Sequence, residues 1–403
     1  MKFQFNRLFI IALFTFIYQN NDILAQCFLG PNGNLINADG SDCVNTVSTA
    51  VPFLRIVPDA RSAAMGDVGI AISPDANALH FNTSKLAFAK EDLGISATYT
   101  PWLRALGLND VYLAYLTGYK KIDKLQSVGI GLRYFSLGSI DFTDINGNPL
   151  GNGKPREFEL NVGYARKLSE NFSAAVNGKY IYSNLAAGQS IGTTDITPAN
   201  SGAADFSFTY RKPVTFSGYN TDLTVGLAIS NIGTKITYTN STDDKKDFLP
   251  ANIGIGAAWD LKFDEYNTFT IAADINKLMA PTPIPYSIDS TYSYKSQSMF
   301  AGILNSFSDA PGGFKEEMKE LMYSVGVEYW YDRQFAVRAG YFSENATKGN
   351  RKYLTLGLGV KYNIFGLNIS YLVPTTSQRN PLDNTLRFSL VFDFNAYNPE
   401  DEE

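Results

Sequence analysis

A chain of 403 residues with a net charge of −5 and one histidine lacks the basic excess of a nucleic-acid binder and the imidazole stock of a metal site. Charged residues make up 18% and aromatic residues 14%, with 33 glycines. That mix suits a membrane barrel, with apolar and aromatic residues against lipid and small or polar ones against a lumen.

The chain opens with Lys2 and Arg7, an apolar run from Leu8 to Tyr18, and Ile23-Leu24-Ala25 before Gln26. This is the layout of a cleaved secretory signal over residues 1–25. The run is well short of the ~20 residues that a membrane helix needs. Gln26, rather than a small residue, precedes Cys27, which argues against lipid attachment. Residues 26–91 are polar and turn-rich, and read as a periplasmic or plug segment. Cys27 and Cys43 are the only cysteines; a close pair in an exported chain reads as a disulfide. His80 lies in Asn77-Ala78-Leu79-His80-Phe81-Asn82. A hydrolase triad would need it as base, yet no G-x-S-x-G elbow, H-E-x-x-H or phosphate loop accompanies it. A structural, hydrogen-bonding histidine is the preferred reading. The sequence predicts no enzyme, cofactor or metal.

From about Leu93 the residues alternate with a period of two, the strand period. Leu354, Leu356, Leu358, Val360 and Tyr362 share one face, opposite Thr355, Gly357, Gly359 and Lys361. Leu386, Phe388, Leu390, Phe392 and Phe394 do the same, opposite Arg387, Ser389 and Asp393. The pattern predicts an all-β, antiparallel transmembrane barrel of about fourteen strands over residues 92–395. Its strands are expected at 92–102, 110–121, 126–138, 155–168, 172–185, 203–213, 221–236, 249–263, 266–279, 322–332, 334–345, 352–364, 366–374 and 385–395. Linkers after even-numbered strands are short and those after several odd-numbered ones long, as short periplasmic turns alternate with outer loops. An even count places both termini in the periplasm of an outer-membrane protein.

The charged face carries Arg133, Lys179, Asp260, Asp274, Arg338, Lys361 and Arg387, too much charge for a soluble core. The inward carboxylates Glu157, Glu159 and Glu328 favour a filled, ion-paired lumen over an open channel. Gly254, Gly256, Gly357 and Gly359 are expected inside, where missing side chains leave lumen space. Tyr119, Tyr164, Trp259, Tyr331, Tyr362 and Tyr371 recur near strand ends, as interfacial girdles do.

The longest outer loop runs from Met279 to Glu320. Pro281, Pro283 and Pro285 are expected to stiffen its entry and hold it off the barrel mouth. Residues 298–307 and 314–322 are expected to form short helices, the second amphipathic. Loops of this length are functional or disordered. Tyr286, Tyr292, Tyr294, Phe300 and Phe307 make it a candidate partner-binding loop, because aromatic anchors dominate protein interfaces. A self-packed lid is the alternative. Residues 396–403 form an acidic tail.

Two stretches before the barrel carry a resemblance. Pro58 to Ala71 reads PDARSAAMGDVGIA, and Ser73 to Phe88 reads SPDANALHFNTSKLAF. Together they resemble the N-terminal segment of FadL-like outer-membrane barrels, most closely the PorV family of the type IX secretion system. That family shows Asn-Pro-Ala where this chain has Asn82-Thr83-Ser84. The resemblance implies a non-enzymatic barrel that receives secreted cargo, through its C-terminal signal domain, from the translocon pore protein. It implies delivery of that cargo to a sortase and attachment complex for linkage to lipopolysaccharide. Outer-membrane lipid and lipopolysaccharide are its surroundings. Transport of hydrophobic solutes is the alternative the family also offers, and O-deacylation of lipopolysaccharide a weaker one.

Overall fold

The computed structural model describes residues 27–395 apart from 32–34, 38–39, 104–106, 144–145, 187–188, 192–193, 240–245, 285–292 and 377–383. The segments 1–25 and 396–403 therefore lie outside the described residues.

Fourteen antiparallel strands close into one barrel. They are β1 Leu93–Pro101, β2 Val111–Lys121, β3 Gln126–Leu137, β4 Arg156–Lys167, β5 Phe172–Asn184, β6 Ala199–Phe216, β7 Tyr219–Gly233, β8 Asn252–Lys262, β9 Asn267–Leu278, β10 Met322–Tyr331, β11 Phe335–Ser343, β12 Lys352–Tyr362, β13 Phe365–Pro374 and β14 Leu386–Phe394. Each strand pairs with its neighbour in sequence, and β14 closes on β1 with Phe388 opposite Tyr99. The closed ladder leaves no sheet edge, which is the condition for a sheet to stand in hydrocarbon. Fourteen strands and their parity follow the alternation in the sequence. The largest departure is at β6, which runs beyond the expected 203–213 at both ends, while β7 begins and ends two to three residues earlier than the expected 221–236. They meet in a two-residue turn at Ser217 and Gly218, both with positive φ, as a tight hairpin requires.

The alternating faces are inverted relative to a soluble protein. Leu356 is 56% exposed and Thr355, its neighbour, 1%. Leu390 and Val325 share the outward side, while Arg133, Arg338 and Arg387 are fully buried inside. Tyr119 departs from the expected girdle. It shares the inward face of β2 with Tyr115 and Thr117, and its hydroxyl donates to the carbonyl of Glu91 at 3.2 Å.

Residues 45–91 thread the lumen from the long-loop end to the short-turn end. The Asn45 amide donates to the Thr347 carbonyl, and the Ala50 amide to that of Phe248, both in outer loops. Val51, Phe53 and Leu54 then pack on Ile181, Ala199, Ile236 and Leu249. Asp59 caps the turn Ala60–Ala63 by accepting from the Ser62 amide at 2.8 Å. Below it the amides of Gly69 and Ile70 donate to Asp274 at 2.7 and 2.9 Å. Asn82 reaches the Ile70 carbonyl and Thr209 and caps the 3-10 helix Thr83–Phe88, its Oδ1 accepting from the Ser84 amide. Thr83 thus holds the first helical position, where proline is otherwise favoured.

The described N-terminal residues are not on the periplasmic side that was expected. The disulfide Cys27–Cys43 closes a loop at the outer mouth, where Asp42 pairs with Lys319 at 3.7 Å.

The inward glycines are contact surfaces rather than empty lumen. A Cβ on Gly340 would stand 2.0 Å from the Gly66 nitrogen, one on Gly326 2.3 Å from the Met65 carbonyl oxygen, and one on Gly357 2.3 Å from the Ala64 Cβ. Gly254 and Gly256 abut Ile70 in the same way. Gly66 itself has φ +69°, open to few other residues. Alanines on the plug and glycines on the wall bring the two backbones into contact.

Two outcomes test this arrangement. Arg at Leu356, Leu390 or Val325 is expected to destabilise the barrel by ~2–4 kcal/mol near the membrane midplane, measured by urea unfolding in vesicles. Water-soluble labelling of Cys at these sites would contradict the assigned face.

Candidate functional site

The lumen is filled by ion pairs, from plug to wall at Arg61 and across the wall strands elsewhere. Glu328 of β10 accepts from Arg61 of the plug at 2.7 and 2.9 Å and from Arg338 of β11 at 2.6 Å. Glu159 of β4 lies 3.3 Å from Arg133 and 3.5 Å from Lys179, and Lys179 reaches Asp205 at 2.7 Å. Lys361 pairs with Asp393 at 2.6 Å. Such pairs are strongly destabilised when one partner is lost, so the lumen behaves as a polar core. Two cavities remain, about 330 Å³ under the plug at the short-turn end and about 120 Å³ above it.

His80 faces the upper cavity, and its Nδ1 is bonded to the Arg133 guanidinium. Burial first, and the charges of Arg133 and Lys179 second, hold its pKa well below the usual histidine value. It is a neutral acceptor that orients Arg133, which also donates to the carbonyls of Phe53 and Leu54. Among the described residues no group of His, Cys, Asp or Glu is placed to hold a metal.

The outer mouth is closed by the loop after β9, and here the expected geometry is corrected. Pro281 and Pro283 do not hold the loop away, and Pro285 lies outside the described residues. Met279, Ala280 and Thr282 are buried, Ala280 lies in the apolar cluster of the mouth with Phe248 and Trp102, and Pro281 lies against Gly302. The loop then forms the helix Met299–Asn305, capped by Ser298, and the helix Phe314–Glu317 continued by a 3-10 turn Met318–Glu320.

The second helix is amphipathic with its polar face inward. Lys277 at the top of β9 bonds Glu317 at 3.0 Å and Glu320 at 2.5 Å. Lys348, from the loop after β11, bonds Glu316 at 2.5 Å and Glu320 at 3.0 Å. Asn45 and Thr282 complete the cluster, donating to Glu316 and Glu320. Burial works against charge on Glu316, but the bonded Lys348 ammonium prevails and holds its carboxyl below the usual range. Burial pushes the Asp309 carboxyl, which accepts from the Thr282 amide, up to about 6.

With its carboxylates turned inward, the lid shows apolar side chains to the outside. Phe300 is 67% exposed, Leu304 71%, Phe307 48%, Phe314 80% and Met318 44%. Of the five residues singled out in the sequence, Phe300 and Phe307 stand on this ridge. Tyr294 is half-buried in a 3-10 turn, and Tyr286 and Tyr292 lie outside the described residues. Leu304, Phe314 and Met318 were not anticipated. The spacing of four residues from Phe300 to Leu304 and from Phe314 to Met318 marks one helix face. An amphipathic pattern does not say which face is covered, and here Lys277 and Lys348 decide it.

The lid's pH response follows from the two carboxyls. Glu316 stabilises closure fully above its unfolded value near 4.5, a contribution lost as pH falls through the lower folded value. Asp309 has the opposite sign: its charged form opposes closure above about 6, and that cost is relieved as pH falls through about 6. Proteolysis of the lid in the detergent-solubilised protein should therefore slow as pH falls below about 6, as the Asp309 cost is relieved towards its unfolded 3.8, and be slowest near 4.5, where the Glu316 contribution is still present. Lys348→Met strips a cation from two buried carboxylates. It should raise lid cleavage by ~100-fold, the equivalent of ~3 kcal/mol, with the heat-modifiable shift of the barrel retained. His80→Ala should leave any lipid A or O-antigen acylation pattern unchanged at matched protein levels.

Among solved structures the barrel is similar to the toluene transporter TbuX of Ralstonia pickettii, at 11% identity and a TM-score of 0.48, over 83% of this chain and 98% of that one. It is similar to the toluene transporter TodX of Pseudomonas putida, at 14% identity and a TM-score of 0.45, over 87% and 98%. It is similar too to a FadL homologue of Pseudomonas aeruginosa, at 10% identity and a TM-score of 0.43, over 87% and 100%. No curated protein matches the chain. The family model described as type IX secretion system protein PorV matches residues 39–285. That match takes in more than half of the chain, from the disulfide loop through the plug to the start of the lid, and so this outer-membrane barrel belongs to the PorV family of type IX secretion system proteins.

Proposed function

We propose that the barrel serves type IX secretion as a receiver at the outer face. It binds exported proteins as they leave the translocon pore protein, holds their C-terminal signal domain, and delivers them to the sortase complex that joins them to lipopolysaccharide. The observation that carries this reading is the ridge of Phe300, Leu304, Phe307, Phe314 and Met318 on a lid latched over the mouth. Contiguous apolar surface on the aqueous side of a protein marks an interaction site. The latch holds the anchors in place before a partner arrives, which lowers the ordering cost of binding. Membership of the PorV family supports the same reading.

A second reading is transport of hydrophobic solutes, the activity named for the similar solved barrels. What favours it in this chain is the cavity of about 330 Å³ under the plug, which includes Ile72, Phe88, Trp330 and Val391. Against it stand the charges sharing that wall, Arg211, Lys262, Asp222 and Asp393 among them, and the ion-paired plug above.

Pull-down from detergent-solubilised outer membranes separates the two. Replacing Phe300, Leu304 and Phe314 together by Ser should abolish copurification of translocon and cargo while leaving a heat-modifiable barrel at normal abundance. Truncating buried interface anchors of this kind costs ≥ ~2 kcal/mol each. Normal copurification and normal cargo anchoring in the triple variant would remove the ridge from the interface. An uptake defect for apolar solutes in a null strain with intact secretion would favour transport.

A further inference from the structure

Charge is distributed unequally around the periplasmic rim. The turns after β2 and β4 bring together Lys120, Lys124, Arg166 and Lys167, with Asp123 and Glu170 beside them. The turns after β8 and β10 instead carry Asp264, Glu265 and Asp332 with Arg333. Asp123 is engaged in its own turn, accepting from the Leu125 and Gln126 amides and the Gln126 side chain. Its charge reaches Arg166 only at longer range. Among the described residues no carboxylate forms an ion pair with Lys120, Lys124 or Arg166, whereas the adjacent Lys121 is tied to Asp92 at 3.6 Å. Lys167 lies over the Phe88 ring at 5.1 Å.

Strand register fixes where these cations stand. Lys120 pairs with Val128, and Val128 with Tyr164. The three form one row across β2, β3 and β4 on the outward side. Arg166 follows two residues beyond Tyr164 on the same side, opposite Gln126. Immediately above lie Ile130 and Val162, 57% and 52% exposed to the bilayer, with Leu116, 53% exposed, one row further. Immediately below, Leu125 and Leu168 stand exposed in the turns and line a groove with Lys124, Arg166 and Lys167. Cations on the lipid side of the wall, level with an interfacial tyrosine and continuous with the hydrocarbon-facing band, meet lipid phosphates before any soluble partner. Guanidinium and ammonium groups bind phosphate oxygens by charge-assisted hydrogen bonds, and basic residues at a membrane surface favour anionic lipids.

We propose that this sector binds an anionic phospholipid of the periplasmic leaflet, with its phosphate against Arg166, Lys124 and Lys120 and its acyl chains along Val128, Ile130 and Val162. The site orients the barrel about its own axis relative to its lipid neighbours, because the opposite arc of the rim has no such cluster.

The full chain reconstituted in phosphatidylcholine vesicles tests this, using spin-labelled phosphatidylglycerol and spin-labelled phosphatidylcholine as probes. The wild type should select the anionic probe by about threefold or more. Joint replacement of Lys120, Lys124 and Arg166 by Gln should bring the ratio to about one, with the heat-modifiable shift unchanged. Arg333→Gln, on the opposite arc, should leave the selection intact. Equal affinity for the two probes in the wild type, an unchanged ratio in the triple variant, or an equal loss in Arg333→Gln would each overturn the proposal.

Discussion

A peptide group that cannot reach water must bond to another peptide group, and in hydrocarbon this rule has no exceptions. The pairing of β14 with β1 is what satisfies it here, since it removes the last open edge of the sheet. Everything else follows from closure. The apolar side chains of each strand must face outward, so the polar ones converge on a common axis. There they cannot be left as isolated charges. The plug answers this need: its arginine, its backbone amides and its serines meet the glutamates, aspartates and hydroxyls of the wall. Glycines set the distance at which they meet.

The same inversion explains the lid. A helix carrying three glutamates would sit glutamates-out on a soluble protein. Over this mouth it meets Lys277 and Lys348, cations that the strand ends lift to the rim, and it turns over. The apolar residues left outside are then a by-product of satisfying buried charge.

Much of this was legible in the sequence, because strand period, linker lengths and face chemistry are local. The hydrophobic run around Leu356 and the parity of short and long linkers locate the strands almost residue by residue. Less legible was anything that depends on two distant segments meeting. Tyr119 looked like a girdle residue by its place near a strand end, yet the phase of β2 turns it inward to Glu91. The wall glycines announced missing side chains but not the Ala64 and Ile70 that fill the gaps. The prolines of the outer loop announced stiffness but not direction, and only the packing of Ala280 with Phe248 shows that the loop's entry turns inward. On the candidate site, Phe300 and Phe307 were visible as aromatics, whereas Phe314 and Met318 depended on which helix face the lysines chose.

The threading of residues 45–91 bears on the order in which the molecule can be assembled. The segment joins β1 covalently at the periplasmic end, and at the other end it carries a cysteine-closed loop outside the mouth. A bulky loop cannot be drawn through a lumen already filled by ion pairs. With the disulfide closed first, the sheet has to curl around a segment already in position before the seam between β14 and β1 shuts. Once it does, the segment is held like an axle within a ring that has a stopper on one end and the ring's own chain on the other. With the disulfide intact, its removal requires the barrel to reopen.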